Sequence, residues 1–317
     1  MKKSWMVFAL LFTIVFLITS CSGQVASGEN ARDTEAILKQ VQSGTQGVTM
    51  TFLQDLPPAV VYDQNELLSI VEVKNKGNHD LGAQDCFIQI TGFDPNIISP
   101  VFGVARSCAE SLGTLEGKSV FNTDGGFNQL EFSSTNIILP DGILEYNPNL
   151  NFVTCYNYVT RANPQVCIDT ALHQVTAEQK TCAVKDIGMS GGQGAPVSVS
   201  KVTVEMAGTQ AIFGIDIVNN GNGRILHPQT DIQSCAQATQ LTHRDLDKIE
   251  FTVSLPGAAV NCNPTSGIVS LNNGVGKIIC KAEMGISPAF ETPLQIILNY
   301  NYIQSMQKKI KIISTPR

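Results

Sequence analysis

Along most of the chain, apolar residues return at every second position. Phe213, Ile215 and Ile217 alternate with Gly214, Asp216 and Val218, and the run stops at Asn219-Asn220-Gly221. Val202, Val204 and Met206 alternate with Thr203 and Glu205, and Ile249, Phe251, Val253 and Leu255 with Glu250, Thr252 and Ser254. Leu294, Ile296, Leu298, Tyr300 and Tyr302 form one side of a long late segment. Successive side chains of a strand point to opposite faces, so each run predicts a strand with one buried face. Turn-forming strings separate the runs: Asn75-Lys76-Gly77, Phe93-Asp94-Pro95, Thr123-Asp124-Gly125-Gly126 and Asn272-Asn273-Gly274. Helical spacing is confined to a short stretch from Thr34 to Val41. Short strands with frequent turns predict an all-β chain of antiparallel β-sandwiches.

The pattern also repeats. Val73-Lys74-Asn75-Lys76-Gly77-Asn78 matches Ile217-Val218-Asn219-Asn220-Gly221-Asn222, and Tyr156-Asn157-Tyr158-Val159 matches Tyr300-Asn301-Tyr302-Ile303. Both pairs stand 144 positions apart. Two matches at one offset predict two copies of one β domain, over 47–175 and 197–317. The segment 176–196 lies between them, with Gly191-Gly192-Gln193-Gly194 as the joint.

The front of the chain has a different pattern. Met1-Lys2-Lys3 precedes an apolar run from Trp5 to Ile18, which closes on Ile18-Thr19-Ser20-Cys21. The run is shorter than the ~20 residues of a bilayer span and suits the apolar region of a signal peptide. The closing string resembles the lipobox of prokaryotic lipoproteins. That resemblance implies residues 1–21 as a signal peptide, Cys21 as the lipid attachment site, and a mature chain held outside the cytoplasm at a membrane surface. More than one acyl chain is needed for stable anchoring. Residues 22–46, rich in Ser, Gly and Gln, then read as a flexible tether.

Charge removes one class of partner. The formal net charge is −6, and losing Lys2 and Lys3 makes the mature chain more acidic still. Basic residues cluster only at Lys308, Lys309 and Lys311. An acidic chain without a basic stripe lacks the phosphate-neutralising charge that nucleic-acid binding requires, so no nucleic acid is expected.

Of the 9 cysteines, setting Cys21 aside leaves an even set: Cys86, Cys108, Cys155, Cys167, Cys182, Cys235, Cys262 and Cys280. Without close C-x₂-C pairs, and in an exported chain, they read as a disulfide framework and not as a metal site. Cys155 and Cys167 flank a predicted hairpin, and Cys262 and Cys280 bracket another strand–turn–strand. Those two pairs are expected, leaving Cys86–Cys108 and Cys182–Cys235 by elimination.

The repeat unit, with its strand ending V-x-N-x-G and its late Tyr-rich strand, resembles the immunoglobulin-like and CARDB-like β-sandwich modules of prokaryotic surface proteins. The chain departs from true immunoglobulin domains, because its one tryptophan is Trp5 and no core tryptophan can pack on a disulfide. That module family has no fixed site, so the resemblance assigns no functional residues.

Candidate chemistry is sparse. Gly188-Met189-Ser190-Gly191-Gly192 fits the nucleophile elbow G-x-S-x-G, and Asp231 and His243 follow in hydrolase order. An elbow needs a helix after the serine, and Gly191-Gly192-Gln193-Gly194-Ala195-Pro196 cannot start one. The histidines His79, His173, His227 and His243 are isolated in sequence, with His79 and His227 expected in exposed loops. Asp94, Asp124, Glu131 and Asp141 are carboxylate candidates without a pairing motif. Asp94 is more simply a turn cap before Pro95, and no calcium loop is present. Tyr156, Tyr158, Tyr300 and Tyr302 are either binding aromatics or, as the shared face with Ile296 and Leu298 favours, core residues with hydroxyls at the rim.

No catalytic residue, metal or cofactor is therefore expected. The expected function is that of a membrane-anchored surface lipoprotein acting as an adhesion, scaffold or protein-binding module toward another envelope or surface protein. An extracytoplasmic receptor for a small molecule or glycan is the alternative, and an extracytoplasmic hydrolase the least favoured reading.

Overall fold

The computed structural model describes residues 36–172, 180–236 and 241–315. Cys21 and His173 lie outside them, as do most of the expected tether and part of the segment after 175. Residues 36–41 are helical and nearly everything else is strand or turn. The strands form several mostly antiparallel sheets, joined by four disulfides.

The predicted alternation decides which faces are buried. Phe213, Ile215, Ile217, Ile296, Leu298, Tyr300 and Tyr302 are all inaccessible to solvent or nearly so. One large sheet runs through the molecule in the order Ile268–Ser270, Lys248–Ser254, Gln295–Lys309, Asn149–Ala162, Cys86–Thr91, Arg106–Ser107. A three-stranded sheet (Val48–Phe52, Leu67–Asn75, Phe127–Ser134) belongs to the first half. A five-stranded sheet (Ile187–Gly188, Val197–Ala207, Gln210–Asn219, Val275–Glu283, Val260–Asn263) belongs to the second. Buried apolar residues from both halves form one continuous core.

The halves meet through the two longest strands. Asn149–Ala162 pairs along its whole length with Gln295–Lys309, in a register that sets Tyr156 opposite Tyr302, Asn157 opposite Asn301 and Tyr158 opposite Tyr300. Asn157 and Asn301 are the equivalent residues of the sequence echo, so the strand pairs with its own counterpart about a local twofold axis. The four tyrosines point to the inside and pack on one another. Tyr156 and Tyr302 have ring centroids 5.6 Å apart, and Tyr156 and Tyr158 meet edge to face at 5.7 Å. They are fully buried and are not a binding surface.

Two of their hydroxyls, those of Tyr158 and Tyr302, fasten the turns of the V-x-N-x-G motif. Tyr158 Oη donates to Asn75 Oδ1 (3.2 Å) and accepts the His79 N–H (3.3 Å); Asn75 Oδ1 also accepts the Gly77 N–H (3.2 Å). In the second half Tyr302 Oη donates to Asn219 Oδ1 (3.0 Å) and accepts the Gly223 N–H (2.8 Å), while Asn219 Oδ1 accepts the Gly221 N–H (3.2 Å). Each partner of the first clasp has its counterpart in the second at the offset of the echo. Outside the clasp Thr160 Oγ1 donates to Val197 O (2.7 Å) and Gln304 Nε2 to Val48 O (2.5 Å); the donors keep the offset of the echo, and the acceptors match by their place opposite Asn219 and Asn75. The motif's glycine follows from this geometry. A Cβ on Gly77 would stand 1.7 Å from Tyr158 Oη, and one on Gly221 2.4 Å from Tyr302 Oη.

The disulfides correct half of the expected pairing. Cys86–Cys108 and Cys262–Cys280 are bonded, the latter between directly opposed strand residues with Cα atoms 4.0 Å apart. Cys155 is bonded to Cys235 and Cys167 to Cys182, in place of Cys155–Cys167 and Cys182–Cys235. The reason is that no hairpin forms between Cys155 and Cys167. Both edges of Asn149–Ala162 are occupied, by Cys86–Thr91 and Gln295–Lys309. After Pro164 the chain leaves that sheet, and Gln165–Ile168 pairs with Phe290–Pro293. Cys155 faces away from the tyrosines into a small cluster with Val153, Leu226 and Cys235. There the disulfide ties the first half's long strand to a loop of the second. Asn301 supports that loop by donating to the carbonyls of His227, Pro228 and Thr230.

Two measurements test the clasp. Gly77→Ala and Gly221→Ala should each destabilise the fold by ~1–3 kcal/mol in urea unfolding, because the new methyl must displace a buried hydroxyl. Gly285→Ala, at a site with open space around it, should change stability far less. The second concerns His79, which packs edge-on against Tyr158 at 5.4 Å instead of lying exposed in its turn. Burial, reinforced by the nearby Arg161, holds its pKa below the ordinary 6.5. The unfolded chain therefore binds the proton first as pH falls through about 6.5, and stability drops below that pH. His79→Gln should flatten the decline in unfolding midpoint between neutral and mildly acid pH; an unchanged slope would refute the assignment.

Candidate functional site

The clasps order more than their own turns. At the end of the molecule where Tyr158 holds Asn75 and His79, four loops join by backbone hydrogen bonds. Gly44 N donates to Gly191 O (2.6 Å) and Gly194 N to Gly44 O (3.0 Å); Asn78 N donates to Gly194 O (2.9 Å) and Lys118 N to Gly77 O (2.6 Å). Gln193 is buried, and its side-chain amide bonds both the N–H (2.8 Å) and the carbonyl (3.1 Å) of Val199. The Gly-rich joint between the halves is thus an ordered part of this loop cluster, and residues 39–46 of the expected tether belong to the main compact unit.

The cluster encloses an open cleft of about 550 Å³. Lys39, Gln42, Arg161, Asn163 and Ser190 contribute exposed polar side chains to its lining, and none of its lining residues is acidic. Asp80 accepts the Gly117 N–H (2.7 Å) and Asp85 the Gly82 N–H (2.9 Å). In the second half Asn222, the counterpart of Asn78, lines a smaller cleft of about 120 Å³ with Asn220 and Gln304 and without any charged residue.

Ser190 lies on the first cleft, but its proposed partners are engaged in another loop. Asp231 accepts the Gln233 N–H (3.0 Å) and the Ser234 hydroxyl (2.6 Å). His243 is exposed in the turn before Asp245, whose carboxylate accepts the Thr242 N–H (2.8 Å) and hydroxyl (2.6 Å). His227 is half-buried, and its Nδ1 accepts the Gln229 N–H (3.1 Å). Asp94 caps its own turn through the Asn96 N–H (2.9 Å), while Asp124, Glu131 and Asp141 are exposed on separate loops or strand faces. Among the described residues no group of three or more His, Cys, Asp or Glu is placed to hold a metal ion.

A second surface feature escaped the sequence reading. Ser119 and Asn122 close a tight turn by reciprocal backbone bonds, Ser119 N to Asn122 O (2.8 Å) and Asn122 N to Ser119 O (3.2 Å). Phe121 at its tip is 97% exposed. The signal was present in Ser119-Val120-Phe121-Asn122, an apolar pair between two turn-forming residues, which alternation alone reads as a strand fragment.

No known protein family matches the chain, and no curated protein does. Among solved structures, the secreted serine protease VesC from Vibrio cholerae is similar at 12% identity, with 88% of this chain and 53% of that one covered and a TM-score of 0.21. The chain thus spans about half the length of that protease, and a likeness this distant carries neither fold nor activity.

Proposed function

We propose that the chain is a lipid-anchored surface lipoprotein whose two immunoglobulin-like halves form one rigid, protein-binding body. Cys21 supplies the anchor in this reading. Four disulfides fit an oxidising, extracytoplasmic compartment, and no helix among the described residues is long and apolar enough to cross a membrane. The observation that carries the protein-binding role is Phe121, an almost fully exposed aromatic held on an ordered turn. Leaving a large apolar side chain in water is unfavourable, and aromatic anchors of this kind dominate interfaces when they enter a partner's pocket. Other exposed apolar side chains, including Leu144 and Ile286, lie on separate loops. A hydrolase is not proposed, since Ser190 is in a hydrogen-bonded turn apart from Asp231 and His243.

A photo-reactive amino acid placed at position 121 in the native host tests this. Reproducible capture of one envelope protein, lost on competition with the unmodified chain, is the expected result. The absence of any captured protein, with the chain confirmed at the surface, would overturn it. Labelling with an alkyne fatty acid should mark the wild type and not Cys21→Ser.

A further inference from the structure

The repeat supplies an internal template for a binding site. In the first half, the turn after Asn75 is covered by the segment that leads into Val197–Ala207. Asn78 donates to it twice, from its N–H to Gly194 O (2.9 Å) and from its side-chain amide to Gln193 O (2.9 Å). Gly194 has a φ of +67°, and a Cβ on it would stand 2.8 Å from the Asn78 side chain. Asn78 thus holds two consecutive backbone carbonyls, and the second of them must belong to a glycine.

Asn222 is the counterpart of Asn78, 144 positions on, and its turn is closed by the matching clasp of Tyr302 and Asn219. Neither its N–H nor its side-chain amide makes a hydrogen bond among the described residues. The segment leading into Val48–Phe52 runs elsewhere, because Gly44 N donates to Gly191 O (2.6 Å) and Gly44 O accepts the Gly194 N–H (3.0 Å). Thr45 and Gln46 therefore border, without filling, the uncharged cleft of about 120 Å³ beside Asn222. Asn222 also edges a wider cleft of about 580 Å³, in which Arg224 is paired with Asp247 (2.9 Å), so a segment crossing Asn222 has room beyond the smaller one. The asymmetry continues beneath the turn. Tyr300 Oη is satisfied by Thr160 Oγ1 (3.0 Å) and the Val197 N–H (3.3 Å). The Val48 N–H approaches Tyr156 Oη without closing a hydrogen bond.

We propose that Asn222 holds a glycine-containing segment of another polypeptide, in the way that Asn78 holds Gln193 and Gly194. The Asn222 N–H donates to the carbonyl of the glycine, and the side-chain amide to the carbonyl of the residue before it. An uncharged lining suits backbone groups, and donors already fixed by the clasp lose little freedom on binding. The cleft shares no residue with the turn of Phe121, so failure here leaves the protein-binding reading untouched.

Amide-resolved NMR of the full chain in detergent tests this with an acetylated, amidated peptide, Gly-Gly-Gln-Gly-Ala-Pro-Val, copied from residues 191–197. Saturable shifts are expected at the N–H and side-chain amide of Asn222, and none at Asn78, whose acceptors are in place. Valine in place of the glycine before alanine should weaken binding about tenfold, the cost of holding a branched residue at positive φ. Asn222→Ala and Asn222→Asp should each weaken it about three- to tenfold, the worth of one hydrogen bond. Neither should move the thermal transition, since Asn222 is exposed. No saturable shift at Asn222, shifts at Asn78 in its place, equal binding of the valine peptide, or unchanged affinity in both variants would each overturn the proposal.

Discussion

The antiparallel pairing of Asn149–Ala162 with Gln295–Lys309 is the constraint on which the rest depends. A strand edge presents a row of unpaired N–H and C=O groups, and here each half's edge is satisfied by the matching edge of the other. Because equivalent residues face each other across Asn157 and Asn301, one set of side chains serves both sides of the join. Two of the four tyrosines thus have two roles. All four rings fill the shared core, and the hydroxyls of Tyr158 and Tyr302 each fix a turn at the far end of their own half. The arrangement is that of an isologous dimer interface contained in a single chain.

From that join, order spreads outward to the surface. Tyr158 fixes Asn75 and His79, and their loop bonds Lys118 and Gly194, the latter next to the Gly192 and Gln193 that line the cleft with Arg161 and Ser190. On the opposite face Cys155 and Asn301 do similar work for the loop after Leu226. The asparagine, glycine and tyrosine of the clasp are retained at both sites, while Arg161 and Ser305 differ.

How much of this was legible follows the range of each interaction. Alternation identified the strands and the inner face of Ile296, Leu298, Tyr300 and Tyr302, because a period of two is a local property. The two echoes exposed the repeat for the same reason. Which strand lies beside which is a nonlocal property, and nothing near Cys155 specifies Cys235 as its partner. Nearness in sequence favoured Cys155–Cys167 instead. Cys262–Cys280 was readable since it joins neighbouring strands, whereas Cys86–Cys108 was reached only by elimination. The cleft left no trace in sequence, as Lys39, Arg161 and Ser190 come from three distant segments that only the loop cluster unites.

The strand pairing also sets a timetable for folding as the chain is made. Residues are added in order, so Asn149–Ala162 is complete while its partner, ending at Lys309, is still to come. During that interval a long apolar edge, with Tyr156 and Tyr158 uncovered by their mates, is open to any neighbouring strand. The first half thus cannot satisfy that edge by itself, and the edge stays unpaired until nearly the whole chain is present. A fold shared this evenly between two halves is completed only by the last long strand to arrive.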